Sequence, residues 1–241
     1  MKYLNIIFIY LILFSFSVMG QGKKLVWDYP VKPGTEKWKS FNTHEEMLNA
    51  CQIPENILQN MNTADLMEIC LDYPLKGDIY AYSNVKNGIE HVSLQFNGFA
   101  ELFSRNDNFQ NLLLKLEQSK LNLNNDLASN KNMAEQGEIM LNFAIIESFL
   151  SFDAVLLNSD YNQKKQLSEI TKEVLNYKLQ NSDKFGIFSV TSTAFLLGKT
   201  LQKINKFSNI TPSTAKFLNN NITVNDSIIT EIVQTFNNAK L

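Results

Sequence analysis

Beyond Thr43, apolar side chains recur at steps of three and four almost without interruption. Leu75, Ile79, Tyr82, Val85, Ile89, Val92, Phe96, Phe99 and Phe103 form the longest such series. That spacing gathers side chains on one side of a 3.6-residue helix, whereas a strand needs alternation. Turn punctuation is sparse: there are nine Gly and five Pro in 241 residues, and four of the prolines (Pro30, Pro33, Pro54, Pro74) lie in the first third. A barrel or sandwich needs more frequent breakers than this. The pattern predicts an all-α fold of about ten helices in stacked antiparallel pairs, with a solenoid-like stack as one arrangement and an extended N-terminal arm.

Capping signals locate the first elements. Thr43-His44-Glu45-Glu46 has the capping-box form and predicts a helix over 44–51. Pro54 opens a second helix to about Met61, and Asn62-Thr63 opens a third that Tyr73-Pro74 halts. Glycine costs about 1 kcal/mol relative to alanine inside a helix, so the 75–104 segment is expected to break into two helices near Gly88. Another helix follows Asn106-Asp107-Asn108, and the Asn-rich stretch 122–136 reads as a long loop. Residues 134–157 are apolar on every face and predict the central buried helix. Further helices are expected over 162–180 after Ser159-Asp160, over 187–204 with Phe188 and Phe195 on its inner stripe, after Thr211-Pro212, and after Asp226.

The first twenty residues carry a different message. Lys2 precedes an apolar run from Leu4 to Val18, which ends in Val18-Met19-Gly20. A run of about 15 residues falls short of the roughly 20 that span a bilayer, so a signal peptide cleaved before Gln21 is expected, with an uncleaved anchor as the alternative. The expected organisation is a signal peptide at 1–20, an extended aromatic arm at 21–42 and a single helical domain at 43–241, with a sub-boundary allowed near 122–134. No integral membrane segment is expected after leader cleavage, and the address is exported, periplasmic or secreted.

Several chemistries are disfavoured. Net charge is −2, and Arg105 is the one arginine among 22 basic residues, which argues against nucleic-acid recognition. Two His and two Cys at unsuitable spacings argue against a zinc site, and Glu90-His91 lacks further ligands. No phosphate loop, nucleophile elbow, HExxH, calcium loop or CxxC occurs, so no cofactor, metal or catalytic residue is assigned.

Four features remain. Export would allow Cys51 and Cys70 to form a disulfide across about 20 residues, worth roughly 3 kcal/mol; two buried thiols are the alternative. Trp27 and Trp38 lie on the arm, either docking it on the body or presenting an aromatic binding surface. Glu147, inside the most apolar helix, is the candidate buried acid, with solvent exposure or a structural lysine as the plainer readings. Sequons at Asn209, Asn221 and Asn225 carry weight only in a eukaryotic secretory pathway, and Asp226-Ser227-Ile228 has the form of a short bacterial O-glycosylation acceptor.

Tyr29-Pro30-Val31-Lys32-Pro33-Gly34-Thr35-Glu36-Lys37-Trp38, Ala50-Cys51-Gln52-Ile53-Pro54, Cys70-Leu71-Asp72-Tyr73-Pro74-Leu75 and Phe96-Asn97-Gly98-Phe99 can be read together. Over residues 29–107 the chain resembles an uncharacterised family of exported, helical Bacteroidota proteins. That resemblance implies the address and the helical fold, and it implies no activity. The expected function is an exported, non-enzymatic binding or assembly protein that recognises a protein or peptide. An envelope hydrolase using carboxylates from different helices, or a structural envelope protein, is the alternative.

Overall fold

Side-chain caps start most of the helices. Thr43 and Glu46 form the full capping box of α2 (His44–Cys51), Asn62 accepts from Asp65 N at the head of α4 (Thr63–Leu71), and Asp160 pairs with Gln163 at the head of α10 (Tyr161–Gln180). Each such cap satisfies amides that the first helical turn leaves unpaired. Our computed structural model describes residues 27–128, 132–207, 210–220 and 224–239, and every regular element among these is helical. The leader, Gln21, Asn209 and Asn221 lie outside the described residues.

The remaining elements are α1 (Glu36–Lys39), α3 (Glu55–Asn60), a 3-10 turn (Lys76–Ala81), α5 (Val85–Val92), α6 (Asn97–Ser104) and α7 (Asn108–Ala128). They continue with α8 (Met133–Leu150), α9 (Asp153–Leu156), α11 (Ile187–Lys203), α12 (Pro212–Asn220) and α13 (Asp226–Asn238). Helix α8 packs on α5, α7 and α11, while α10 and α11 form a long antiparallel pair. Two apolar clusters result. The larger runs from Tyr29 through Phe96, Phe99, Phe149 and Leu196; the smaller joins Leu197 and Leu201 of α11 to Phe217, Ile228 and Ile232 of α12 and α13.

The predicted break at Gly88 is not there. Gly88 lies inside α5, and a Cβ on it would meet the Ile79 carbonyl oxygen at 1.9 Å. The glycine allows the 3-10 turn to press against α5, and that contact outweighs its roughly 1 kcal/mol helix penalty. The chain breaks instead on either side of α5, at 82–84 and at 93–96, and two polar side chains hold the second break. The Asn97 amide receives Ile53 N at 3.0 Å and donates to Ile53 O at 2.8 Å, while Gln52 Nε2 donates to Gln95 O at 3.0 Å. The Ala50–Pro54 and Phe96–Phe99 segments quoted above therefore meet at one junction.

Two other expectations change. Helix α7 continues to Ala128 through the Asn-rich stretch, with Leu123 buried at its inner face; asparagine in a helix costs only tenths of a kcal/mol, about 0.7 at most. The expected 134–157 helix stops at Leu150, because the chain turns at Ser151 and Phe152 and packs the Phe152 ring on Phe103, centroids 4.7 Å apart. The last helix is capped by Asn225, which accepts from Ile228 N, rather than by Asp226.

The expected Cys51–Cys70 bridge is also corrected: both thiols are free and buried. Each packs as a small apolar side chain in the larger cluster. Burial, then the Asp78 charge, pushes the Cys51 thiol up to about 12, and burial raises Cys70 well above the ordinary thiol range. Tyr29, rather than either tryptophan, is the deep anchor of the segment before α1. Its ring is buried and its hydroxyl donates to Ile69 O at 2.9 Å, while Trp27 and Trp38 pack half-buried at the cluster edge.

Candidate functional site

Two chain breaks and one helix face converge on one surface groove. The 3-10 turn ends at Ala81 and the backbone extends through Tyr82 to Asn84, whose side chain caps α5 by accepting from Asn87 N at 2.8 Å. This places Tyr80, Tyr82 and Val85 along one wall. Met140, Leu141 and Ala144 of α8 supply the floor, and the start of α11 supplies Gly186, Phe188 and Ser189. The groove measures about 310 Å³ and no charged side chain lines it.

Its apolar rim faces water. Phe188 is 73% exposed, and Tyr80, Tyr82 and Leu141 are each more than a third exposed. The Tyr82 ring stacks on His91 with centroids 4.3 Å apart, which fixes its plane, and Tyr80 Oη donates to Leu141 O at 3.4 Å. Burial of the Tyr80 ring raises its phenol above the ordinary range. The expectation for Phe188 is thereby corrected: Phe195 is buried as predicted, but Phe188, seven residues earlier, sits where α11 has just left the body and nothing covers it. Helix α11 opens after Gly186 without a side-chain cap, and Phe188 on its first turn is both exposed and part of the groove lining.

Beneath the groove lies the candidate buried acid. Glu147 on α8 and Lys178 on α10 have side chains only 1% exposed, and Lys178 Nζ donates to Glu147 Oε1 and Oε2 at 3.1 Å each. Lys178 also donates to Thr193 Oγ1 at 2.7 Å and to Ser189 O at 3.2 Å, while the Thr193 hydroxyl donates to Glu147 Oε1 at 2.6 Å. The Phe143 ring lies 4.6 Å from the ammonium. Burial pushes the Glu147 carboxyl up, against the pull of Lys178 and Thr193, and pushes the Lys178 ammonium down, against the pull of Glu147. Neither side chain lines the groove, so the network braces α8, α10 and α11 and fixes the Ser189 carbonyl at the groove edge.

The structural-lysine reading of Glu147 thus holds, with Lys178 as the lysine. Asp153, the next acid along, pairs with Lys203 on another part of the surface, so the two carboxylates share no site. Trp27 and Trp38 do not reach the groove, nor do Cys51 and Cys70. Sequence reasoning missed the groove because Tyr82, Met140, Leu141 and Phe188 all fit helical stripes; the available signal was that Tyr82 and Phe188 flank chain breaks. A second, polar groove of about 420 Å³ runs between α4, α7 and α8, and Lys115 crosses it to meet Glu68 at 2.6 Å. Among the described residues, no group of three or more His, Cys, Asp and Glu is placed to hold a metal, and no helix is long and apolar enough to cross a membrane. Compared with known proteins, the chain matches no family model, no curated protein and no solved structure.

Proposed function

We propose that this is an exported, non-enzymatic binding or assembly protein that takes an apolar segment of a protein or peptide into the groove between Tyr82, Leu141 and Phe188. The exposure of Phe188 beside an uncharged 310 Å³ recess carries this reading. An aromatic side chain left in water forgoes roughly 1.5–3 kcal/mol that burial would provide, and such a chain beside an open recess is the usual form of an interaction anchor. At about 310 Å³ the recess is at the small end of ligand sites and has room for one or two large side chains of a partner. Glu147, paired with Lys178 and closed off from the groove, supports binding over carboxylate chemistry.

Selection of a displayed random-peptide library on the immobilised protein tests the reading. Enriched peptides should share aromatic or large aliphatic residues, and Phe188→Ser or Leu141→Asp should weaken them at least tenfold, the loss expected for a hot-spot contact. Absence of enrichment, or peptides that bind both variants as well as the parent, would overturn it.

A further inference from the structure

Within the groove, an exposed ring and an open recess lie side by side on one face. Phe188 stands 73% exposed at the start of α11, and the recess of about 310 Å³ that it borders is lined by Tyr82, Leu141 and Ala144. A knob next to a hole on one surface is self-complementary, because a two-fold axis through the patch brings each knob opposite the other copy's hole. A single peptide side chain fills the recess and leaves much of the Phe188 ring in water. A second copy fills the recess with its own Phe188 and covers the first copy's ring in the same contact.

Charge permits this self-contact. Identical surfaces that meet face to face set like charges against like, which opposes association. No charged side chain lines the groove. The charges that flank it along the chain come in opposite pairs: Glu138, two residues before Met140, meets Lys76 at 3.0 Å, Lys86 beside Val85 meets Glu90 at 3.8 Å, and Asp183 and Lys184 are neighbours ahead of Gly186. The exposed parts of Tyr80, Tyr82 and Phe188, at 36%, 40% and 73%, come to roughly 300 Å² on the 150–250 Å² that an aromatic side chain can bury. With Leu141 and the polar edge of Ser83, Asn84 and Ser189 added, two copies bury roughly 1,000 Å² in total, the lower bound for a specific interface. An area of that size fits a reversible dimer, with a dissociation constant on the order of 10–100 µM, rather than an obligate one.

We propose that the groove is a two-fold interface between copies of this chain, in which Phe188 of each copy enters the recess of the other. Resting on the binding role proposed above for the groove, this names its partner: the apolar segment taken in is the start of α11 of a second copy.

Analytical ultracentrifugation of the folded protein from about 2 to 400 µM tests this. A monomer–dimer equilibrium is expected, weakened roughly tenfold or more both in Phe188→Ser, which removes the knob, and in Ala144→Leu, which fills the hole. Leu157→Ser, at a side chain 75% exposed and outside the groove, should leave it unchanged. Mixing Phe188→Ser with Ala144→Leu should restore part of the association, since the first keeps a hole, the second keeps a knob, and one of the two contacts re-forms in the mixed dimer. A protein that stays monomeric throughout overturns the proposal, as does association that survives in Phe188→Ser or shows no gain on mixing. Enriched peptides that depend on Phe188, on a protein that stays monomeric, overturn the second copy as partner and keep the groove as a site for another protein. Neither enrichment nor association overturns both. Circular dichroism verifies each variant's fold, and Ser189→Phe, at the groove edge, replaces Ala144→Leu should the latter fail to fold.

Discussion

The ring of Tyr73 stacks on that of Phe96, with centroids 4.4 Å and planes 19° apart, and its fully buried hydroxyl has no hydrogen-bond partner among the described residues. Burial first, then the Cys51 and Asp78 charges, raises the phenol above its ordinary range, so the group remains protonated. A donor withdrawn from water and left unpaired costs about 1–3 kcal/mol. Tyr73→Phe keeps the stack and removes that cost. Its urea-unfolding midpoint should rise, by the equivalent of about 1 kcal/mol; a fall of that size would reveal an acceptor for the hydroxyl.

The Glu147–Lys178 pair should behave non-additively. Lys178→Met strands a buried carboxylate and should cost about 3–5 kcal/mol, while Glu147→Gln with Lys178→Met removes both charges and should cost clearly less. Chemical denaturation of the two single variants and the double variant measures the coupling. Additive losses would mean that the two groups do not depend on one another.

At Gly88 a methyl group has no room. Gly88→Ala drives a Cβ against the Ile79 carbonyl, and since backbone must move to admit it, a loss of at least about 2–3 kcal/mol is expected. Thermal unfolding checks this: an unchanged or raised midpoint, as helix propensity alone predicts, would show that α5 and the 3-10 turn do not press together.

The two thiols predict an alkaline limit to stability. Cys51 and Cys70 stay protonated in the native state above the ordinary thiol value of 9.0, whereas in the unfolded chain they ionise there. The native state then binds more protons than the unfolded one, so their contribution is fully present below pH 9 and is lost as pH rises toward about 12. Each thiol steepens the decline by about 1.4 kcal/mol per pH unit. Denaturation from pH 8 to 10.5 should show a flatter slope in Cys51→Ala/Cys70→Ala than in the parent, and thiol-reactive dye should label the parent only on unfolding.

Much of the helical frame was legible because it is written locally. Thr43 with Glu46, Asn62 and Asp160 start their helices where the cap chemistry places them, and no distant contact has to be known. What sequence alone misplaced depends on partners far along the chain. Gly88 looks like a breaker until Ile79 is set beside it, and the break at 93–96 depends on Gln52 and Ile53, more than forty residues away. Lys178 carries the charge of a surface residue, and only the crossing of α8, α10 and α11 buries it. The groove is the hardest case, since Phe188 and Phe195 share one helical stripe and differ only in what stands opposite them.

Helix α11 belongs to both apolar clusters, with Leu196 facing one and Leu197 and Leu201 facing the other. Opening α12 and α13 would therefore strip one side of a helix whose other side is still sealed, and opening the body would do the converse. Neither cluster can come apart without exposing apolar surface that the other needs, which welds them into one cooperative unit. In hydrogen exchange the amides of α11 would report global unfolding, while those of the short, surface-lying α1 would exchange through local fraying.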